Sequence, residues 1–130
     1  MGVPMIYGAA GGLGRRAQIS QLWTNSDPTT SFAAQTVTLA GSLADFDLFR
    51  IAFVFSTGSQ ILEERSFLVS NLLTEGFTAA LRIGGSVNNR TGARTFSMPA
   101  ADTVSFDACT YNTGTDNSYV IPVAIYGIKL

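Results

Sequence analysis

The chain has 130 residues, 46% of them hydrophobic, which is the size of one domain with apolar side chains enough for one core. Charged residues make up only 13%, against roughly 25% in an average soluble domain, and the net charge is -1, so there is no field to draw in phosphate backbones or anionic membranes. Histidine is absent and cysteine occurs once, which excludes Ser-His-Asp and Cys-His nucleophilic systems, imidazole and Cys-rich metal sites, and any intrachain disulfide.

Residues 1–16 differ from the rest, with five glycines between Gly2 and Gly14 and the pair Arg15 and Arg16 at the end. They read as an extended N-terminal arm, with Tyr7, Leu13, Arg15 and Arg16 as the residues that would dock it on a neighbouring subunit or particle. Met5–Arg16 also looks like the strand and Gly-rich turn of a dinucleotide-binding unit. That reading needs a helix of about ten or more residues after Gly14 and an acidic residue about 20 positions on. Trp23–Thr30 is turn-rich instead, so no cofactor is expected. The start lacks the basic and apolar regions of a secretory signal, and no run reaches about 18 apolar residues, so the expectation is a soluble chain made in a cytoplasm.

From residue 17 onward, short runs with period-two alternation recur between turn formers, the pattern of an all-β sandwich or barrel. Strands are predicted at Gln35–Ala40 and at Leu48–Ser56, where Phe49, Ile51, Phe53 and Phe55 share one face. Further strands are predicted at Thr78–Ile83 with Ala79, Leu81 and Ile83 inward, at Arg94–Met98 with Phe96 and Met98, and at Thr103–Cys109 with Val104, Phe106 and Ala108. Loops fall at Ser26–Thr30, Ser56–Ser59, Gly84–Gly92 and Asn112–Asn117. Ile61–Glu75 reads as a strand through Ser66–Val69, although Ile61, Leu68 and Leu72 also sit at helical spacing. Cys109 is expected to be a small core residue.

Tyr119–Leu130 is apolar on both faces, with Tyr119, Ile121, Val123 and Ile125 on one and Val120, Ala124, Tyr126 and Ile128 on the other. Such a strand is central or covered by a partner, and Pro122, which has no N–H for a ladder, points to an edge or a bulge. Contact with another subunit is the expectation.

The acidic pairs Asp45 with Asp47, Glu63 with Glu64, and Asp107 with Asp116 read as solvated side chains near turns, because nothing in the pattern fixes two carboxylates around a sugar bond. No catalytic or metal-binding residue is assigned. A virion glycanase using Asp107 and Asp116, or a carbohydrate-binding module, is the alternative. Trp23, Tyr111 and Tyr119 could offer a sugar-stacking platform, with packing the commoner use of such rings. Asn89-Arg90-Thr91 matches the glycosylation pattern but reads as a turn.

Two stretches carry a family resemblance. Leu22-Trp23-Thr24-Asn25-Ser26-Asp27-Pro28-Thr29-Thr30-Ser31-Phe32-Ala33-Ala34-Gln35-Thr36-Val37 and Tyr119-Val120-Ile121-Pro122-Val123-Ala124-Ile125-Tyr126-Gly127-Ile128-Lys129, with Arg94-Thr95-Phe96 between them, resemble small structural proteins of tailed bacteriophages and prophages, of the tail-region or minor virion kind. The resemblance spans about residues 20–130, and its motifs name no active site. It implies a β-sandwich virion component, a homotrimer, on a tail tip, fibre or capsid surface, made in the bacterial cytoplasm. Its partners would be copies of itself, other tail or capsid proteins and a host surface glycan.

The expectation is therefore a jelly-roll-like antiparallel β-sandwich over residues 17–130 behind an N-terminal arm. Trp23, Phe32, Tyr119, Ile121, Tyr126 and Ile128 would pack at subunit contacts, and Asn88, Asn89, Tyr111 and Asn112 would sit on receptor-facing loops, with capsid decoration the alternative placement.

Overall fold

The structure, a computed structural model, describes residues 16–84 and 91–130. Its strands are β1 (Gln18–Thr24), β2 (Gln35–Thr38), β3 (Leu48–Ser56), β4 (Leu62–Leu68), β5 (Ala79–Gly84), β6 (Thr91–Ala100), β7 (Thr103–Phe106), β8 (Thr110–Tyr111), β9 (Gly114–Thr115) and β10 (Tyr119–Lys129). A 3-10 turn at Leu43–Asp45 precedes β3, and a one-turn helix, α1 (Val69–Leu72), follows β4.

Every described pairing is antiparallel. One sheet runs β1-β10-β3-β4, and the other runs β2-β7-β6, with β5 on the far side of β6 and the small β8–β9 hairpin continuing the line of β7. The first strand thus lies beside the last, and β2 beside β7, so the chain wraps round itself as in a jelly roll. Inside that wrap, β3–β4, β5–β6 and β6–β7 pair as sequential hairpins.

The alternation seen in the sequence builds the core. Phe49, Ile51 and Phe53 of β3 and Leu81 and Phe96 of the opposite sheet are fully buried. The rings meet across the gap, Phe49 stacked on Phe96 at 5.4 Å and Trp23 against Phe106 at 6.0 Å. Ala79, Leu81 and Ile83 point inward as expected.

Three local expectations change, and a fourth is decided between its alternatives. β1 extends through Trp23 and Thr24, which read as loop, because a bulge between Gln21 and Trp23 turns Leu22 and Trp23 in succession onto the core and breaks the period-two signal. β7 stops at Phe106, and the chain slips by one residue before β8, so Cys109 is fully buried while Ala108 is half-buried. The Ile61–Glu75 segment divides: residues 62–68 pair with β3, and the helical spacing survives as the single turn that carries the chain toward the second sheet. Of the two readings of Pro122, the bulge holds: it lies in the central strand β10 beside the irregularity between Pro122 and Ala124, which accommodates a residue without an N–H.

Phe46, beyond the 3-10 turn, lies flat on Gly127, where even a methyl group would come within 2.6 Å of the ring. Together with the Asp47 N–H to Ile128 carbonyl bond of 2.9 Å, this ties the β2–β3 crossover to the end of β10.

Candidate assembly surfaces and loop end

Residues facing each other in register share one face of a sheet, so the pairings also describe the outer side of β1-β10-β3-β4. Ile19, Ile128, Leu48 and Leu68 form one row across all four strands. At the row's two edges Ile19 is 58% exposed and Leu68 55%, while Ile128 between them is 2% exposed and Leu48 half-buried, and Leu130 lies in water beyond the row's end. Scattered exposed leucines are ordinary, whereas an apolar row spanning a whole sheet is the mark of a contact surface. The next row is Gln21, Tyr126, Arg50 and Ser66, and the one after it Thr24, Ala124, Ala52 and Glu64; beyond these the outer face is not continued, since Ile121 opposite Val54 is fully buried and Val54 packs on the core.

The β4 edge of this sheet is protected against strand addition. Glu63 and Arg65 point toward the core side, paired at 2.9 Å, and Arg65 lies over the Phe53 ring at 5.4 Å. Inward-facing charge of this kind discourages another chain from extending the ladder. The broad face, rather than that edge, is what is open to a partner.

The same register places loops 25–34, 57–61 and 112–118 at the end away from the Ile19–Leu68 row. That end is organised by Arg94, which the sequence marks only as the start of a strand and as part of the Arg94-Thr95-Phe96 motif. It is a fully buried arginine on the inward parity of β6, between Gly92 and Phe96. Its Nε donates to the Val120 carbonyl at 2.8 Å, Nη1 to Asp107 at 2.8 Å and Nη2 to Tyr119 at 3.2 Å, and its guanidinium lies over Phe32 at 5.1 Å. Burial pulls its pKa below the ordinary arginine value, with a smaller opposing effect from neighbouring Cys109. Val120 is held there at a φ of 48°, a conformation a β-branched residue adopts only when its surroundings impose it. Arg94 therefore binds backbone carbonyls at the points where the β7 and β10 ladders become irregular. The signal available in the sequence was its parity with Phe96 and Met98.

A cleft of about 270 Å³ opens beside this centre, lined among others by Trp23, Asn25, Asp27, Phe32 and Gln35. The side chains of Asn25 and Asp27 are engaged in the loop itself. Asn25 Nδ2 donates to the Pro122 carbonyl at 2.8 Å, Asn25 Oδ1 accepts from the Asp27 N–H at 2.9 Å, and Asp27 accepts from the Thr29 N–H at 3.1 Å. The Thr29 hydroxyl, then its N–H, lower the Asp27 pKa. These bonds explain the Asn-x-Asp-Pro-Thr pattern as loop architecture.

The structure distributes the residues singled out from the sequence over several roles. Phe32 and Ile121 are buried in the domain's own core, and Trp23 packs half-buried against Phe32 and Phe106. Ile128 and Tyr126 lie on the outer face just described, and Arg16 is exposed at the head of β1. Tyr111 and Tyr119 stack face to face at 3.6 Å, so each covers one face of the other, and Trp23 does not join them in a platform. Asn112 turns the β8–β9 hairpin at a φ of 61° and is exposed. Tyr7, Leu13, Arg15, Asn88 and Asn89 lie outside the described residues.

Among the acidic groups, Asp107 accepts from the Thr95 hydroxyl. Asp116 accepts from both the hydroxyl and the N–H of Ser118, which lower its pKa. Among the described residues, no three His, Cys, Asp or Glu side chains gather as a metal site would require, and no helix is long and apolar enough to cross a membrane. No protein-family model matches the chain, and a search of curated proteins found no matching relative.

Proposed function

We propose that the chain is a structural component of a tailed-phage virion, of the tail-tip, fibre or receptor-binding type, acting by assembly and binding rather than by catalysis. The observation that carries this reading is the apolar row across the first sheet, on a domain whose surface is otherwise weakly charged. Burying such a row contributes roughly 25 cal/mol per Å² before the costs of association, and repetition over many copies turns modest contacts into firm attachment. A second observation supports a division of labour. The opposite end carries short loops rich in Asn, Asp, Ser and Thr, stiffened from beneath by Arg94, as a rigid scaffold presenting loops to a ligand would require.

The test is the composition and labelling of intact particles. Purified particles from an induced host should contain the chain in a fixed, repeated copy number, and antibodies to the folded domain should decorate the tail tip. Decoration of the shell instead would support a capsid position and overturn the tail assignment. Absence of the chain from particles while it accumulates in the cell would sink the virion reading altogether. Binding of the isolated domain to one glycan class on an array would support the receptor-binding form.

A further inference from the structure

We infer that Val3-Pro4-Met5-Ile6-Tyr7 of the chain's own N-terminal arm lies in the groove between the 73–78 turn and the end of β6, with residues 8–15 as its tether; this goes beyond the virion reading and does not depend on it.

The groove is a gap the fold leaves beside a strand. β5 pairs with β6 from Ala79 to Gly84, opposite Phe96 to Thr91, so past Phe96 no described strand flanks β6 on that side. The chain that leads into β5 is held away from it. Buried Leu72 anchors α1, the Leu73 N–H donates to the Val69 carbonyl and the Phe77 N–H to the Thr74 carbonyl, each at 3.0 Å, and Gly76 turns the chain at a φ of 80° that side-chain-bearing residues rarely adopt. About 630 Å³ lies between, walled by Leu73, Phe77, Met98 and Pro99, with Glu75 the one charged side chain along it. Leu73 and Phe77 are each 37% exposed. Apolar walls beside an unflanked strand suit an extended apolar segment, which can seat alternate side chains there and reach the backbone.

The arm leaves the sandwich at the same end. Ile19, next to the first residue of β1, stands in one row with Ile128, Leu48 and Leu68, and α1 begins at the following residue, Val69. The Leu43 N–H to Ala101 carbonyl bond of 2.7 Å brings the end of β6 to this end too. Four strand spacings of about 4.8 Å and one sheet separation of about 10 Å, roughly 30 Å together, bound the path from Arg16 to the groove. The nine residues from Gly8 to Arg16, at about 3.3 Å each, span it and leave Val3–Tyr7 at the groove.

The composition of the arm matches this division. Residues 8–14 are glycine and alanine apart from Leu13, a flexible tether, whereas residues 3–7 are all apolar or aromatic, and residues 1–14 contain no Asp, Glu, Lys or Arg. Pro4 biases both itself and Val3 toward extended backbone. A tether this short presents the segment at about millimolar effective concentration, so the chain's own arm outcompetes that of another copy at micromolar protein.

Cross-linking in the full chain tests the inference, with Cys109 buried and out of the reaction. Ile6→Cys with Thr78→Cys, at about 10 µM, should join within one chain at least about tenfold faster than Ile6→Cys with Thr36→Cys, an exposed control on the opposite edge strand of the same sheet. Adding Met5→Asp and Tyr7→Asp should abolish that preference, because a carboxylate pressed into the groove loses its water without gaining a partner. In the chain without added cysteines, the same two changes should speed amide exchange at residues 73–78 at least about threefold while circular dichroism stays native, since neither position belongs to the sandwich. Equal cross-linking rates to the two positions, or exchange indifferent to the arm changes, would overturn the inference. So would a link that forms only between chains, because a second copy's arm would then be the occupant.

Discussion

Replacing Arg94 with methionine offers the sharpest test of how the loop end is held. Methionine keeps much of the volume and the apolar stem but removes the donors that serve the carbonyls of Asp107, Tyr119 and Val120. Leaving a buried acceptor unpaired costs about 1–3 kcal/mol, so the Asp107 and Val120 carbonyls alone suggest about 2–6 kcal/mol, including whatever release of Val120 follows. Part of this is offset because the variant no longer has to bury a charged guanidinium that has only neutral partners. We expect a net loss of about 2–4 kcal/mol, a sizeable part of the roughly 5–15 kcal/mol that holds a domain of this size together. Urea titration followed by tryptophan fluorescence reads it directly, since Trp23 packs against Phe32, the ring beneath the guanidinium. The midpoint should fall with the slope unchanged. Arginine keeps its proton far above neutrality, so the loss should be equal at about pH 5 and about pH 9. Arg94→Lys should recover little, because one ammonium cannot span the three carbonyls as the planar fork does. A methionine variant within about 1 kcal/mol of the parent would refute the reasoning and mean that the carbonyls find other partners.

Three further outcomes are expected. Gly127→Ala should cost about 1–3 kcal/mol in urea unfolding because its methyl meets the Phe46 ring, and Phe46→Leu in the same chain should recover much of that; a silent Gly127→Ala would mean the ring moves aside freely. The Cys109 thiol, fully buried and pushed up in pKa chiefly by that burial, should resist a disulfide reagent in the native protein and react on unfolding; prompt native reaction would contradict its placement. Asp116 has its folded pKa lowered from 3.8 by the Ser118 hydroxyl and N–H, so its contribution is present above that value and fades as pH falls through the folded pKa. Asp116→Asn should therefore flatten the acid side of the stability-against-pH curve, and an unchanged curve would remove the Asp116–Ser118 bonds from the account.

Much of the architecture was legible along the chain. Strand β3 has the limits that its alternation implies, and β5 and β6 bury the residues expected of them, because a strand with one face on a core must repeat with period two. Errors fell where the ladder is irregular: the bulge in β1, the slip between β7 and β8, and the turn of helix after β4. A bulge or slip changes parity by one residue, and a parity change cannot be seen without the partner strand that defines it.

The candidate surfaces divide in the same way. Composition and alternation alone determined an all-β, weakly charged domain without histidine chemistry, and a final strand apolar on both sides. Whether that strand was covered by a partner or by its own chain depended on which strands flank it. Folding places β10 between β1 and β3, so Ile125 goes to the core while Tyr126 and Ile128 join residues some 80 and 100 positions away in sequence on the outer face. The buried Arg94 is the clearest case: its position in an alternating strand was visible, but the three carbonyls that make the site tolerable for a charge come from distant segments and converge only in the folded sandwich.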